Sequence, residues 1–210
     1  MEPSAVALLP SFFSSSPKFD APLPGPGTSG VSAPPVLSAT ILDLPVREPL
    51  SGELVPGLSN PLPGGVLAGY AADTGLDIAA RHSRVYAVAA GMLDYSEEGH
   101  SRWTGPSDSP LTVRILFDTP IAWKGRRITH AYYGHLSSVA VVQHEAEARR
   151  HHVVGGQWLG ISGQARGAFH LHLGLLLDGD VTQQYYGTML SEAEIRELFG
   201  HLRNGRRLPK

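Results

Sequence analysis

From Val66 to Leu177 the apolar residues come in short runs separated by glycine, proline and polar turns, a pattern of strands rather than helices. Leu111 to Phe117 is the clearest: Val113, Ile115 and Phe117 alternate with Thr112 and Arg114, as in a half-buried strand. Val85 to Leu93 reads as a strand carrying Gly91, where a bulge or a close backbone approach is expected. Ile128 to Leu136, Trp158 to Ser162 and the apolar run from Phe169 to Leu177 supply further strands. Glu97 to Pro110 is expected to be a loop, Thr119 to Arg127 a turn or short hairpin connection, and Gly163 to Gly167 a tight turn. Gln143 to His152 is strongly polar and reads as a short helix or an exposed excursion.

One helix is expected, near the C-terminus. Ser191 is a good N-cap, Glu194 completes a capping box, and Ile195, Leu198, Phe199 and Leu202 form an apolar stripe at helical spacing. Short strands, glycine-rich turns and one peripheral helix predict a mainly β, antiparallel-sheet domain.

Composition divides the chain. Thirteen of the seventeen prolines lie between Pro3 and Pro63, and all ten histidines lie from His82 onward. Residues 1–65 therefore read as a Pro/Gly/Ser-rich extended arm suited to a protein partner, with Thr40 to Val46 offering one edge strand and Pro49 to Gly65 returning to turn chemistry. Residues 66–182 form the domain, and residues 183–210 the helix and a basic tail. With 17% charged residues and a net charge of −2, nothing suggests a nucleic-acid footprint. The absence of cysteine excludes disulfides, zinc-thiolate sites and cysteine nucleophiles. No apolar run approaches the roughly 18 residues of a membrane span, and the first ten residues lack the basic start of a secretory signal.

The chemistry concentrates at Phe169-His170-Leu171-His172-Leu173. On a strand, residues i and i+2 face the same way, roughly 7 Å apart, so both imidazoles project to one place while Leu171 packs behind them. Neutral imidazole is the commonest metal ligand and a competent general base near neutral pH. His82, His144, His151 and His152 lie in polar turns and are expected to be solvated. His130 is expected to share a strand face with Tyr132 and Gly134, opposite Tyr133 and His135, and so to lie outside the site.

Four blocks in order resemble the lysostaphin-type, or LytM-like, zinc endopeptidases that cut peptidoglycan cross-links. They are Gly75-Leu76-Asp77-Ile78-Ala79-Ala80 with the following Val85 to Gly91, then Tyr133-Gly134-His135-Leu136-Ser137, Val154 to Gly163, and His170-Leu171-His172, spanning about residues 60 to 180. The resemblance implies a lysostaphin/LytM-type β domain with Asp77 and His172 as zinc ligands and His135 and His170 as the two catalytic histidines. The family's remaining ligand, a histidine four residues before the aspartate, is here Asp73. The turn Arg81-His82-Ser83-Arg84 is shorter than the family's and lacks its usual proline and glycine, and the loop Gln164 to Ala168 is shortened too.

Aspartate is an acceptable zinc ligand but is shorter than histidine. Asp73 therefore reaches the ion only if the backbone moves closer; its alternative role is in a turn, where Asp-Thr-Gly is well suited. Two carboxylates and one histidine leave a Zn²⁺ site formally neutral and shift preference toward harder ions such as Mn²⁺. Three functions stay open on these residues: a metal-dependent endopeptidase acting on peptidoglycan peptides, with Tyr132 or Tyr133 lining the substrate groove; a degenerate domain that binds peptidoglycan or a protein without cleaving; and a component of an assembly such as a phage tail or secretion machine. All three imply work outside the cytoplasm, at the cell wall or within such an assembly.

Overall fold

A computed structural model describes residues 50–69, 74–101, 105–182, 188–200 and 202. Most of the arm, the Thr40 to Val46 segment, Asp73 and the basic tail lie outside the described residues.

The strands in chain order are β1 (Glu53–Val55), β2 (Leu58–Ser59), β3 (Val66–Leu67), β4 (Leu76–Ala79), β5 (Arg84–Tyr86), β6 (Gly91–Glu97), β7 (Leu111–Trp123), β8 (Arg126–Val139), β9 (His152–Val153), β10 (Trp158–Ala165) and β11 (Ala168–Leu177); helix α1 spans Glu192–Leu198. β1 and β2 make a small hairpin, and the other nine strands form one antiparallel sheet in the order β3-β4-β11-β10-β8-β7-β6-β9, with β5 on β10. This is the mainly antiparallel β architecture with one C-terminal helix that the pattern predicts.

β11 is the organising strand. It pairs with β4 through His170 to Leu173, with β8 through His172 to Leu177, and with β10 through Ala168 to His170. Its alternation separates two environments. Leu171, Leu173, Leu175 and Leu177 enter the main core with Leu76, Ile78, Val113, Ile115, Tyr133 and Leu136. Leu176, on the histidine face, joins a smaller buried cluster with Tyr95, Tyr132 and Met189. The histidine face is thus apolar at one end and polar at the other.

The structure departs from the sequence pattern in three places. Val85 to Leu93 is not one strand: Ala87 and Val88 are fully buried but outside the strand ladders, with Ala87 N–H bonded to Gln157 O, Val88 N–H to the Tyr133 hydroxyl and Ser59 N–H to Val88 O. β7 and β8 run through the expected connection because a two-residue Lys124-Gly125 turn, both residues at positive φ, closes the hairpin. Residues 143–151, by contrast, take the second of the two expected forms, an excursion without a helix, pinned by Gln143 to Ser96 and His151 and by Glu97 to His144. Residues 50–65, read as turn chemistry, include Leu58 and Leu62, both in the core.

Helix α1 starts as its sequence directs. The Ser191 hydroxyl accepts from the Glu194 N–H, and the Glu194 carboxylate accepts from the Ser191 N–H at 3.0 Å. Ile195 and Phe199 seal the main core. The chain reaches the helix along the site: Leu190 N–H bonds to Leu175 O, Gly75 N–H bonds to Leu190 O, and Thr74 bridges Ser191.

Candidate metal and catalytic site

Asp77 and His172 stand directly opposite each other on β4 and β11. Leu76 and Ile78 point into the core, so Asp77 is forced to the histidine face. There the His172 Nδ1 lies 2.8 Å from Asp77 Oδ1. The same oxygen is 3.9 Å from His170 Nε2. Burial raises the Asp77 pKa, but the hydrogen bond from His172 and the nearby His170 and His135 outweigh it and hold the carboxyl below its usual value.

Tautomers follow from the partners. His170 Nδ1 lies 3.0 Å from the Ala168 carbonyl, which can only accept, so Nδ1 carries the proton and Nε2 keeps a lone pair toward the site. His172 Nδ1 faces a carboxylate and carries a proton there for the same reason.

His135 reaches this face through a bulge. Val113 pairs with Tyr133 and Leu111 with Leu136, so β8 has one residue more than β7 between these pairs. Tyr133 and Leu136 both enter the core, and His135, at φ 62, is turned out to join Gly134. Its ring lies 4.9 Å from that of His170 and 6.3 Å from that of His172. This corrects the expected face assignment: the bulge puts His135 on the side of Tyr132, not on that of Tyr133. Gly134 is needed for this packing, because a Cβ there would lie 3.2 Å from the Tyr132 ring.

The two tyrosines separate. Tyr132 packs edge-to-face on His172 with ring centroids 6.3 Å apart, is bonded to Ser101 and is pushed by burial to about 12. Tyr133 is fully buried in the main core, and its hydroxyl accepts from the Val88 N–H, so its ring offers no surface to a substrate groove. His130 bonds to Thr129 and sits 3.6 Å from Asp94, away from the site. His82, exposed as expected, turns its ring edge onto Phe169. His144 and His152 are exposed but carry carboxylate partners, Glu97 and Asp118.

The donor chemistry of Asp77 and His172 fits a divalent ion. Two donors bound to one tetrahedral ion stand roughly 3.3 Å apart, so the pair at 2.8 Å must open by about half an ångström and His172 must give up its Nδ1 proton. Among the described residues no group of three or more His, Asp or Glu is arranged around a common ion position.

His135 supplies a pH dependence. Burial, reinforced by His170 and His172, pushes it down from 6.5 to about 4, and its Nδ1 is buried without a partner. As pH falls below 6.5 the unfolded chain takes up this proton while the folded chain does not, so stability falls until about pH 4. The loss is at most about 3 kcal/mol. His135→Asn, which tolerates the left-handed backbone and does not titrate, is expected to flatten this part of the profile; urea midpoints at pH 4.5 and 7 for both proteins measure it. An unchanged difference between the two pH values would show that His135 contributes nothing.

The fold and site together describe a β domain carrying a carboxylate–imidazole pair flanked by two more imidazoles. No protein-family model matches the chain, and no curated protein does. Among solved structures it is similar to a protein assigned to peptidase M23 from Pseudomonas aeruginosa, with 23% identity, covering 58% of this chain and 45% of that one, at a TM-score of 0.39. It is similar to a zinc containing peptidase from Vibrio cholerae, with 15% identity, covering 57% of this chain and 29% of that one, at a TM-score of 0.37. It is also similar to the antimicrobial peptidase lysostaphin from Staphylococcus simulans, with 16% identity, 77% of this chain and 58% of that one, at a TM-score of 0.42. The chain thus spans less than half the length of the first two.

Proposed function

We propose that the protein is a lysostaphin/LytM-type metal-dependent endopeptidase acting on the peptide cross-links of bacterial peptidoglycan. One observation carries the reading: Asp77 Oδ1 meets His172 Nδ1 across β4 and β11, with His170 Nε2 3.9 Å from the same oxygen. Asp77 and His172 hold a Zn²⁺ or Mn²⁺ ion, with Asp73 as a further donor. When bound, the ion supplies Lewis-acid polarisation of the scissile carbonyl and a water of lowered pKa.

The chain's own groups do the rest. His170, fixed as the Nδ1–H tautomer by Ala168, accepts a proton at Nε2. His135, kept neutral by burial, has a ring N–H to donate to the developing oxyanion. Tyr132 backs the His172 ring and holds its orientation from the side opposite the solvent. The substrate is an extended peptide outside the cytoplasm, and the part of the arm that precedes residue 50 binds a protein partner.

The second reading, a domain that binds peptidoglycan without cleaving it, draws on the lack of a third donor among the described residues. Metal analysis of the purified chain separates the two. The endopeptidase reading expects one equivalent of zinc or manganese, reduced in Asp73→Ala, and release of muropeptide fragments. A chain that stays metal-free after soaking in either ion, yet pulls down with cell-wall sacculi, is the binder.

A further inference from the structure

We infer that Arg81, stacked on Phe169 beside His170, is a specificity-determining residue that binds a free carboxylate of the peptide substrate. The inference rests on the endopeptidase reading above and deepens it, because it names a chemical feature that the substrate must carry.

The turn that holds Arg81 lies next to the site and is fixed there. His170 pairs with Ala79 on β4, and Arg81 follows two residues later. Ser162 on β10 pins the turn from the other side. Its hydroxyl donates to Ala80 O at 3.4 Å and accepts from Ser83 N–H at 2.9 Å, and its own N–H donates to Ser83 O at 2.8 Å. His82, at φ 45, makes the reversal. This is also a turn in which the sequence departs from the peptidase family's pattern, so the side chains it presents are particular to this chain.

Those side chains converge on Phe169, the residue before His170. The Arg81 guanidinium carbon lies 4.8 Å from the centre of the Phe169 ring, and the His82 ring meets the same ring edge-to-face with centroids 5.1 Å apart. Stacking occupies one face of a guanidinium and leaves its N–H donors, which radiate in the plane, free for a second partner. Arg114, Arg126, Arg150 and Arg196 each hold a carboxylate. Arg81, exposed to solvent, has no ion pair and no side-chain hydrogen bond among the described residues. The carboxylate of Asp77, on the adjoining β4, is committed to His172. A planar fork held in place without an acid of its own matches a carboxylate bidentately. A peptide supplies that group either at its C-terminus or on a residue within the chain.

Cleavage of three cross-linked muropeptide dimers by the full chain, supplied with Zn²⁺, tests this. One dimer has all carboxylates free, one has all of them converted to carboxamides, and one has only the C-terminal carboxylates converted. The wild type is expected to show a kcat/KM at least about tenfold higher on the free dimer than on the fully amidated one. In Arg81→Gln that ratio is expected to fall to within about twofold of unity, and in Arg81→Lys to keep part of its value, circular dichroism confirming the fold of each. The third dimer places the group: a rate like that of the amidated dimer assigns it to the C-terminus, and a rate like that of the free dimer assigns it to a residue within the peptide. A wild-type ratio near unity, or a wild-type ratio retained in Arg81→Gln because both rates fall together, would overturn the role of Arg81 and leave the endopeptidase standing. If the wild type cleaves none of the dimers, the endopeptidase reading falls, and the same ratio read as Kd by calorimetry decides for Arg81. A preference lost in Arg81→Gln then supports it; no preference, or no binding, overturns it.

Discussion

His170→Ala is expected to lower muropeptide cleavage by about 10²- to 10⁴-fold, the usual share of a positioned general base, while the ion stoichiometry stays that of wild type. The argument is geometric. β11 is fixed at this residue from both sides, His170 pairing with Gly163 on β10 and with Ala79 on β4. Its ring is then fixed by one hydrogen bond, Nδ1–H to Ala168 O at 3.0 Å, which leaves Nε2 as the only basic atom. That atom lies 3.9 Å from Asp77 Oδ1, beyond the 2.8 Å contact of His172 with the same oxygen. On the proposed reading it would take a proton beside the ion rather than bind it. Fragment release followed by chromatography, with elemental analysis of the same samples, checks both halves. An unchanged rate removes His170 as the base, and loss of the ion makes it a ligand.

Gly75→Ala is expected to cost about 3 kcal/mol of stability and to weaken ion binding with it. Gly75 adopts φ 112, which L side chains rarely accept. A Cβ there would also lie 2.7 Å from His172 Nε2 and 2.9 Å from Leu173 O. Neither neighbour can retreat: the His172 ring is held by Asp77 on its other nitrogen, and the Leu173 backbone lies in the β4–β11 and β11–β8 ladders. Gly64→Ala is the comparison, since Gly64 has φ 79 but open space around its Cβ position. It should lose only the backbone strain, about 1 kcal/mol. Chemical denaturation of both variants isolates the clash as the difference; equal losses would mean that the His172 ring has room to move.

These two residues also show what the sequence makes legible. The meeting of Asp77 with His172 follows from alternation alone: leucine and isoleucine flank each polar residue, so both must turn to the same sheet face once β4 and β11 pair. The helix start is equally local, because Ser191 and Glu194 carry their own instruction. The side on which His135 emerges is different. Gly134 marks a place where a bulge is possible, but whether β8 gains a residue there depends on its register with β7, which no local pattern encodes. Of the two tyrosines offered as lining the groove, Tyr133 is excluded by its full burial in the core. Val85 to Leu93 misled in another way: burial without regular strand pairing yields the same apolar run, because Ala87 bonds to Gln157 and Val88 to Ser59 and the Tyr133 hydroxyl. Asp73 falls outside the described residues.

The way the sheet stops has a consequence for behaviour at high concentration. Its terminal members, β3 and β9, are two residues each, and β5, branching from β10, is three. Strips this short offer a neighbouring molecule too few free amides and carbonyls to template growth. The long, apolar β11, which would be the most adhesive segment of the chain if left bare, is enclosed by strands on either hand. Among the described residues, self-association by edge pairing is therefore suppressed in the native domain, and β11 becomes available to it when β4, β8 or β10 peels away.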